Sequence, residues 1–206
     1  MTNYLASLTT AIVLGGAAMS FAAENPAPAK PATTPAAAAG LPHYVQAAGA
    51  GSLTFAFMQA GAENQGEFKQ FATQLVYDEK NLAASSLKVT VQTGSFDTQD
   101  KDRNDTLAGP ELLDPKKFPT AQFVANTFTK GPRGIEAVGK LTLHGVTKDL
   151  RLPLTVSTTA SGAEISGATT IKRLDYGIGQ GDWKTTEWVG DEVKLQYKVA
   201  LTKAAR

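Results

Sequence analysis

From Leu41 onward the chain alternates apolar and polar residues with period two, the signature of strands that bury one face. The pattern is cleanest near the end, where Val193, Leu195, Tyr197, Val199 and Leu201 are separated by Lys194, Gln196, Lys198 and Ala200. The same reading gives strands around Leu87, Val89 and Val91, around Leu141 and Leu143, and around Leu150, Leu152, Leu154 and Val156. Further strands are expected over residues 52–59, 66–77, 121–130 and 164–173, which makes about eight, with a short additional one near Tyr44. Within 66–77, Phe68 and Phe71 have opposite parity, so a continuous strand there requires a bulge or turns one ring outward.

Turn residues separate the strands at Asp78-Glu79-Lys80-Asn81, at Lys130 to Gly134, at His144-Gly145 and at Ser161-Gly162, so most neighbours pair as hairpins. The stretch from Asp97 to Pro119 is too long for a hairpin link. Its charges, helix formers and Pro110 predict a short helix, a break and another helical turn over about residues 98–113. Strands with one apolar face each must hide that face by closing into a barrel or by stacking as two sheets. Periodicity alone does not choose between these.

The first 40 residues behave differently. An apolar stretch from about Leu5 to Met19 ends in Ser20-Phe21-Ala22, a small-x-small arrangement that suits a signal-peptidase site and predicts a signal peptide over residues 1–22 with Ala23 as the mature start. The absence of Lys and Arg from Met1-Thr2-Asn3-Tyr4 departs from the usual basic leader. Residues 23–40, with Pro26, Pro28, Pro31 and Pro35 among alanines, have little to bury and predict a disordered spacer. The domain division expected is therefore signal peptide 1–22, spacer 23–40 and one β domain over 41–206.

Composition narrows the chemistry. The 20 Lys and Arg against 19 Asp and Glu give a net charge of +1, which offers no field for nucleic acid. There is no cysteine, so disulfides, thiolate metal sites, a thiol nucleophile and a lipid-bearing N-terminal cysteine are all excluded. The two histidines, His43 and His144, lack zinc spacing, and His144 reads as a turn or surface residue. No Gly-x-Ser-x-Gly elbow is present, and Gly177 to Gly181 is followed by no helix able to present amides to a phosphate.

Several segments taken together resemble the YceI-like periplasmic family: Ser52-Leu53-Thr54-Phe55, Gly66-Glu67-Phe68-Lys69-Gln70-Phe71, the run from Leu113 to Phe123, the run from Gly139 to Lys148, and Arg173-Leu174-Asp175-Tyr176-Gly177-Ile178-Gly179. The resemblance spans about residues 42–202. It implies an all-β fold, a single antiparallel eight-stranded lipocalin-like barrel with the short helical insert, that binds a polyisoprenoid without catalysis and resides in the periplasm. Many members carry a His two residues before a Gly in the first long strand; here the place is Gln59-Ala60-Gly61, so any role of that His does not transfer. Gly181-Asp182-Trp183 resembles a branch associated with membrane b-type cytochromes, which by analogy suggests quinone traffic.

The resemblance turns a set of inward residues into an expected cavity wall: Phe55, Phe57, Phe68, Phe71, Val89, Val91, Phe123, Leu141, Leu143, Ile171, Tyr176, Leu195 and Tyr197. At the mouth, Arg103, Arg173, Trp183 and Trp188 are the candidates for meeting a headgroup of quinone or prenyl phosphate type. Arg173 is alternatively a structural ion pair with Asp175, and Asp102, Arg103 and Asp105, which could form a charged cluster beside a headgroup, are alternatively capping and solvated pairs on the inserted helix. The glycine-rich loop bearing both tryptophans is expected to move, as a lid or a membrane-touching element, unless the rings plug the barrel as core. Expected partners are an isoprenoid lipid and, transiently, a membrane or membrane b-type cytochrome. The chain is expected to use no cofactor and to bind no nucleic acid; a dimer is the oligomer considered. The competing functions are a secreted β-sandwich interaction module with a filled core and an enzyme acting on an isoprenoid.

Overall fold

The structure, a computed structural model, describes residues 41–132 and 134–204; the expected signal peptide and spacer lie outside the described residues. The strands are β1 (His43–Gln59), β2 (Ala62–Phe68), β3 (Phe71–Val76), β4 (Ser86–Gln92), β5 (Phe96–Asp97), β6 (Thr120–Gly131), β7 (Gly134–Leu143), β8 (Val146–Thr158), β9 (Gly162–Lys172) and β10 (Val189–Lys203). One helix, α1 (Lys101–Leu107), lies between β5 and β6. Each neighbouring pair is antiparallel, and β1, β3, β4, β6, β7, β8, β9 and β10 form a ring that the pairing of β10 with β1 closes. The fold is thus a closed eight-stranded barrel and not a stacked pair of sheets.

The stretch expected as one strand over 66–77 is two strands with a corner at Lys69-Gln70. β2 pairs with the far half of β1, from Thr54 to Gln59, whereas β3 pairs with its first residues, His43 to Val45. The corner resolves the parity of the two phenylalanines, because each belongs to its own strand and both point inward. It is fixed from outside: Ser95 accepts from the Lys69 amide through its carbonyl and from the Gln70 amide through its hydroxyl, both at 3.0 Å, and Lys69 pairs with Asp97 at 2.5 Å. The Lys69 ammonium, with the Gln99 amide and the Asn104 side chain, holds the Asp97 carboxyl down at about 2.

Strands β8 and β9 pair only from Thr155 to Thr158 and separate toward the other end of the barrel. Tyr197 of β10 fills the start of this seam, donating its hydroxyl to the Pro153 carbonyl. In an antiparallel strand a residue's N and C=O point the same way, so Pro153 turns its missing N–H to an edge where no ladder partner is waiting. Gly167 makes room: a Cβ there would lie 2.1 Å from the Tyr197 hydroxyl. Further along the seam, Lys148 pairs with Asp175 at 3.2 Å and Tyr176, 3% exposed, packs in the same cluster as Ile171 and Leu150.

The β7–β8 link is the two-residue turn His144-Gly145, with φ of 51° and 77°, the left-handed pair that a tight hairpin demands. His144 is in the expected turn but not free in solvent, since its ring lies 4.0 Å from that of Phe118 and its Nε2 is buried without a hydrogen-bond partner. Burial pushes its pKa below the usual 6.5, against the opposing pull of the Tyr176 backbone and Asp114. The unfolded chain therefore takes up this proton first, and the stability contributed by neutral His144 is present above pH 6.5 and lost as the pH falls below it. His144→Asn, which keeps a turn-favouring residue before Gly145, is expected to flatten the loss of stability on acidification below pH 6.5, measured by urea unfolding as a function of pH.

Candidate functional site

The inward faces of the strands enclose a tunnel of two chambers. The outer has a cavity volume of about 420 Å³ and the inner about 100 Å³, and Leu53, Val91, Ala121, Leu141 and Leu195 line both, forming a neck between them. Below the inner chamber the barrel is filled by Tyr44, Leu75, Tyr77 and Phe128, so the tunnel is closed at that end. Its size falls within the usual range for a small-molecule pocket.

The expected wall residues divide between the chambers. Phe55, Phe57, Phe68, Leu143 and Ile171 line the outer one; Phe71, Val89, Phe123 and Tyr197 line the inner; Val91, Leu141 and Leu195 belong to the neck. Tyr176 is not on the wall, because it is drawn to the seam beside β8. The Phe55 ring contacts Phe68 at 5.2 Å and Phe57 at 6.1 Å between centroids, giving the outer chamber an aromatic side. Burial raises the Tyr197 pKa above its ordinary 10.0, and its hydroxyl is engaged by Pro153, so it offers the inner chamber a neutral ring.

Helix α1 stands over the outer chamber and carries Asp100, Asp102, Arg103 and Thr106 to its lining. Asp100 caps the helix, accepting from the Arg103 amide at 2.9 Å. Asn104 fixes the helix to the barrel: its side-chain oxygen accepts from the Thr98 amide at 2.9 Å and hydroxyl at 2.7 Å, and its amide donates to Asp97 at 3.1 Å. The Arg103 guanidinium is loosely held, with the Thr98 carbonyl at 3.5 Å and Asp100 at 3.7 Å, and keeps N–H groups free to donate.

Arg173 lines the same chamber but is differently employed. It is 3% exposed, and all five of its N–H groups donate to backbone carbonyls: Nε to Gly190, Nη1 to Ile178 and Trp183, and Nη2 to Thr185 and Val189, at 2.8–3.0 Å. It therefore has no donor left for a ligand. The expected ion pair with Asp175 is not formed, because Asp175 faces Lys148 across the seam. Burial lowers the Arg173 pKa, which Asp191 partly opposes.

These bonds fasten the loop between β9 and β10 to one side chain. The Glu111 carbonyl adds to this by accepting from the Gly179 and Gln180 amides at 2.8 and 2.9 Å. The loop expected to move is instead held, with 3-10 turns at Leu174–Tyr176 and Gly181–Lys184. Its tryptophans take different roles: Trp183 is half-buried and lines the outer chamber, while Trp188 is 65% exposed, its carbonyl accepting from the Ala60 amide. Neither ring is a core plug. The ring of Trp183 makes the chamber spectroscopically visible.

Other lining residues escaped the sequence reading. Gln59 lines the chamber from the end of β1, and Leu107, Leu112 and Leu113 from the helical insert supply an apolar wall of their own. No strand periodicity marks them, since the insert's apolar residues are scattered among charges and only the fold brings them over the barrel.

The chain matches the family model for the YceI-like domain over residues 44–201. Among solved structures it is similar to BcnA of Burkholderia cenocepacia, at 31% identity with a TM-score of 0.69 over 73% of this chain and 95% of BcnA. It shares its fold with a polyisoprenoid binding domain from Saccharophagus degradans implicated in plant cell wall breakdown, at 14% identity and a TM-score of 0.63 over 80% of this chain and 99% of that domain. A UPF0312 protein of Enterobacter sp. (strain 638) is 40% identical over 87 residues, 42% of this chain and 45% of that relative, so the alignment spans under half of either.

Proposed function

This chain belongs to the YceI-like domain family, and we propose that it is a periplasmic carrier that holds the chain of an isoprenoid lipid in its tunnel without altering it. The observation that carries this reading is the tunnel itself: mainly apolar through both chambers, closed at one end, and lined by charged groups only in the chamber toward the other. An isoprenoid chain fits such a shape from tail to head. Each CH₂ equivalent moved out of water contributes about 0.8 kcal/mol. The free lipid, however, resides in a bilayer as apolar as the tunnel, so the net preference for the protein is small, as suits loading and release. The charged groups lining the tunnel, Asp100, Asp102, Arg103 and Arg173, all belong to the outer chamber, and the titratable group of the inner one, Tyr197, is held neutral; this arrangement supports binding over catalysis.

Titration with a long-chain isoprenoid quinone, read through tryptophan emission, tests the proposal. Quenching is expected in the native chain, to persist in Trp188→Phe, and to vanish in Trp183→Phe, because only Trp183 faces the chamber. Emission indifferent to the quinone in the native chain contradicts the proposal.

A further inference from the structure

His144 sits where three segments meet beside the outer chamber. Its turn follows directly on Leu143, which lines that chamber. Its ring lies 4.0 Å from that of Phe118, at the exit of the helical insert whose Leu107, Leu112 and Leu113 form part of the same lining. Phe118 is tied to both: its carbonyl accepts from the hydroxyl of Thr93, another lining residue, at 2.5 Å, and its amide closes the insert's last turn on the Asp114 carbonyl at 2.8 Å. The Nδ1 side of the imidazole faces the link between β9 and β10, where the Tyr176 backbone accepts from the ring. Nε2, buried with no partner, is therefore the bare nitrogen that takes the next proton.

We propose that His144 is a proton-operated clasp on the tunnel, which holds the lipid while the imidazole is neutral and releases it once the imidazole is charged. The inference rests on the tunnel reading above and adds its regulation. A proton on Nε2 makes a buried N–H with nothing to receive it, beside an aromatic ring that already has the Lys117 ammonium 5.2 Å from its centroid. The attraction of a second cation for that ring is weaker than the cost of an unpaired buried charge. The imidazolium therefore leaves the Phe118 ring, and the insert loses its fastening to the β7–β8 turn. Burial, the largest influence, keeps the ring neutral down through pH 6.5 against the Tyr176 backbone and Asp114, with Lys117 acting in the same direction as burial. The remaining charges nearby, Asp175 of the β9–β10 link and Lys148 of β8, are paired with each other.

A long-chain isoprenoid quinone is the probe, because its headgroup stays uncharged between about pH 7.5 and about pH 4.5, the range in which a histidine titrates. Its affinity for the native chain, read through Trp183 quenching, is expected to fall at least about tenfold across that range, with transfer to phosphatidylcholine vesicles accelerated by a similar factor. His144→Asn has no ring to lay on Phe118, so it is expected to bind about tenfold more weakly than the native chain at neutral pH and to show no pH dependence beyond about twofold. Two neighbouring charges should move the midpoint of release in opposite directions, Asp114→Asn to lower pH and Lys117→Gln to higher, since the first removes a group that favours the imidazolium and the second one that opposes it. Asparagine also tolerates the φ of 39° at position 114. A flat native profile, a His144→Asn profile that follows the native one, or release that coincides with loss of β content in circular dichroism overturns the clasp and leaves the tunnel reading intact. Midpoints unmoved by Asp114→Asn and Lys117→Gln do the same if His144→Asn fails to fold. A quinone that does not bind the folded native chain at about pH 7.5 overturns both.

Discussion

Replacing Arg173 with methionine is expected to lower the thermal unfolding midpoint by about 8–16 °C, a destabilisation of about 4 kcal/mol for a domain of this size. The change removes five charge-assisted hydrogen bonds in one step and leaves the carbonyls of Ile178, Trp183, Thr185, Val189 and Gly190 without their donor. Arg173→Lys should recover little, because an ammonium presents three donors from one point and cannot reach carbonyls spread around a planar fork. Gly179 belongs to the same arrangement: a Cβ there would lie 1.8 Å from Arg173 Nη1. Calorimetry gives the midpoint, and limited proteolysis locates the damage, with new cleavage expected between Gly179 and Val189. A variant as stable and as resistant as the native chain would show that the loop holds itself.

Leu143→Trp is expected to abolish ligand uptake, with affinity for a long isoprenoid falling at least about a hundredfold, while the protein remains folded. Leu143 lines the outer chamber at the end of β7, next to the His144-Gly145 turn, and an indole there occupies the space the ligand chain must cross. Gln196→Glu, on the exposed face of β10, should change neither binding nor stability. Ligand binding by equilibrium titration and β content by circular dichroism read the two effects separately. Normal uptake by Leu143→Trp would mean that the ligand path runs elsewhere.

The barrel was legible in the sequence because its strands are half-buried and alternate accordingly. β10 reads directly, as do β4 and β8, since each sends every second residue inward. The beginning of β1 did not read as part of the same strand. There, residues 47–50 bulge opposite Ala200 alone, between the pairs Gln46 with Leu201 and Gly51 with Val199. The run Ala47-Ala48-Gly49-Ala50-Gly51 carries no apolar alternation through the bulge, so the pattern looked like two strands, one near Tyr44 and one from Ser52. The Lys69-Gln70 corner showed only as the parity break between Phe68 and Phe71, since strong strand formers continue on both sides of it.

Of the candidate site, most of the tunnel wall follows from strand parity, while Phe68 and Phe71 both reach it only through the corner between β2 and β3, and Tyr176 is not on the wall. The mouth depends on contacts between distant segments, which no local pattern encodes. Asp175 is the nearest acidic residue to Arg173 in sequence, yet the guanidinium turns to carbonyls up to 17 residues away and Asp175 to Lys148. Likewise Gln59 reaches the chamber only because β1 runs the full length of the barrel to the end where α1 sits.

The central claim is that the tunnel carries an isoprenoid, and organic extraction of the protein purified from its native host, followed by mass spectrometry, tests it most directly. The expected result is one class of long-chain isoprenoid at close to one molecule per protein, lost from Leu143→Trp prepared in the same way. A stoichiometric ligand of another kind, or a protein that yields no lipid, would contradict it.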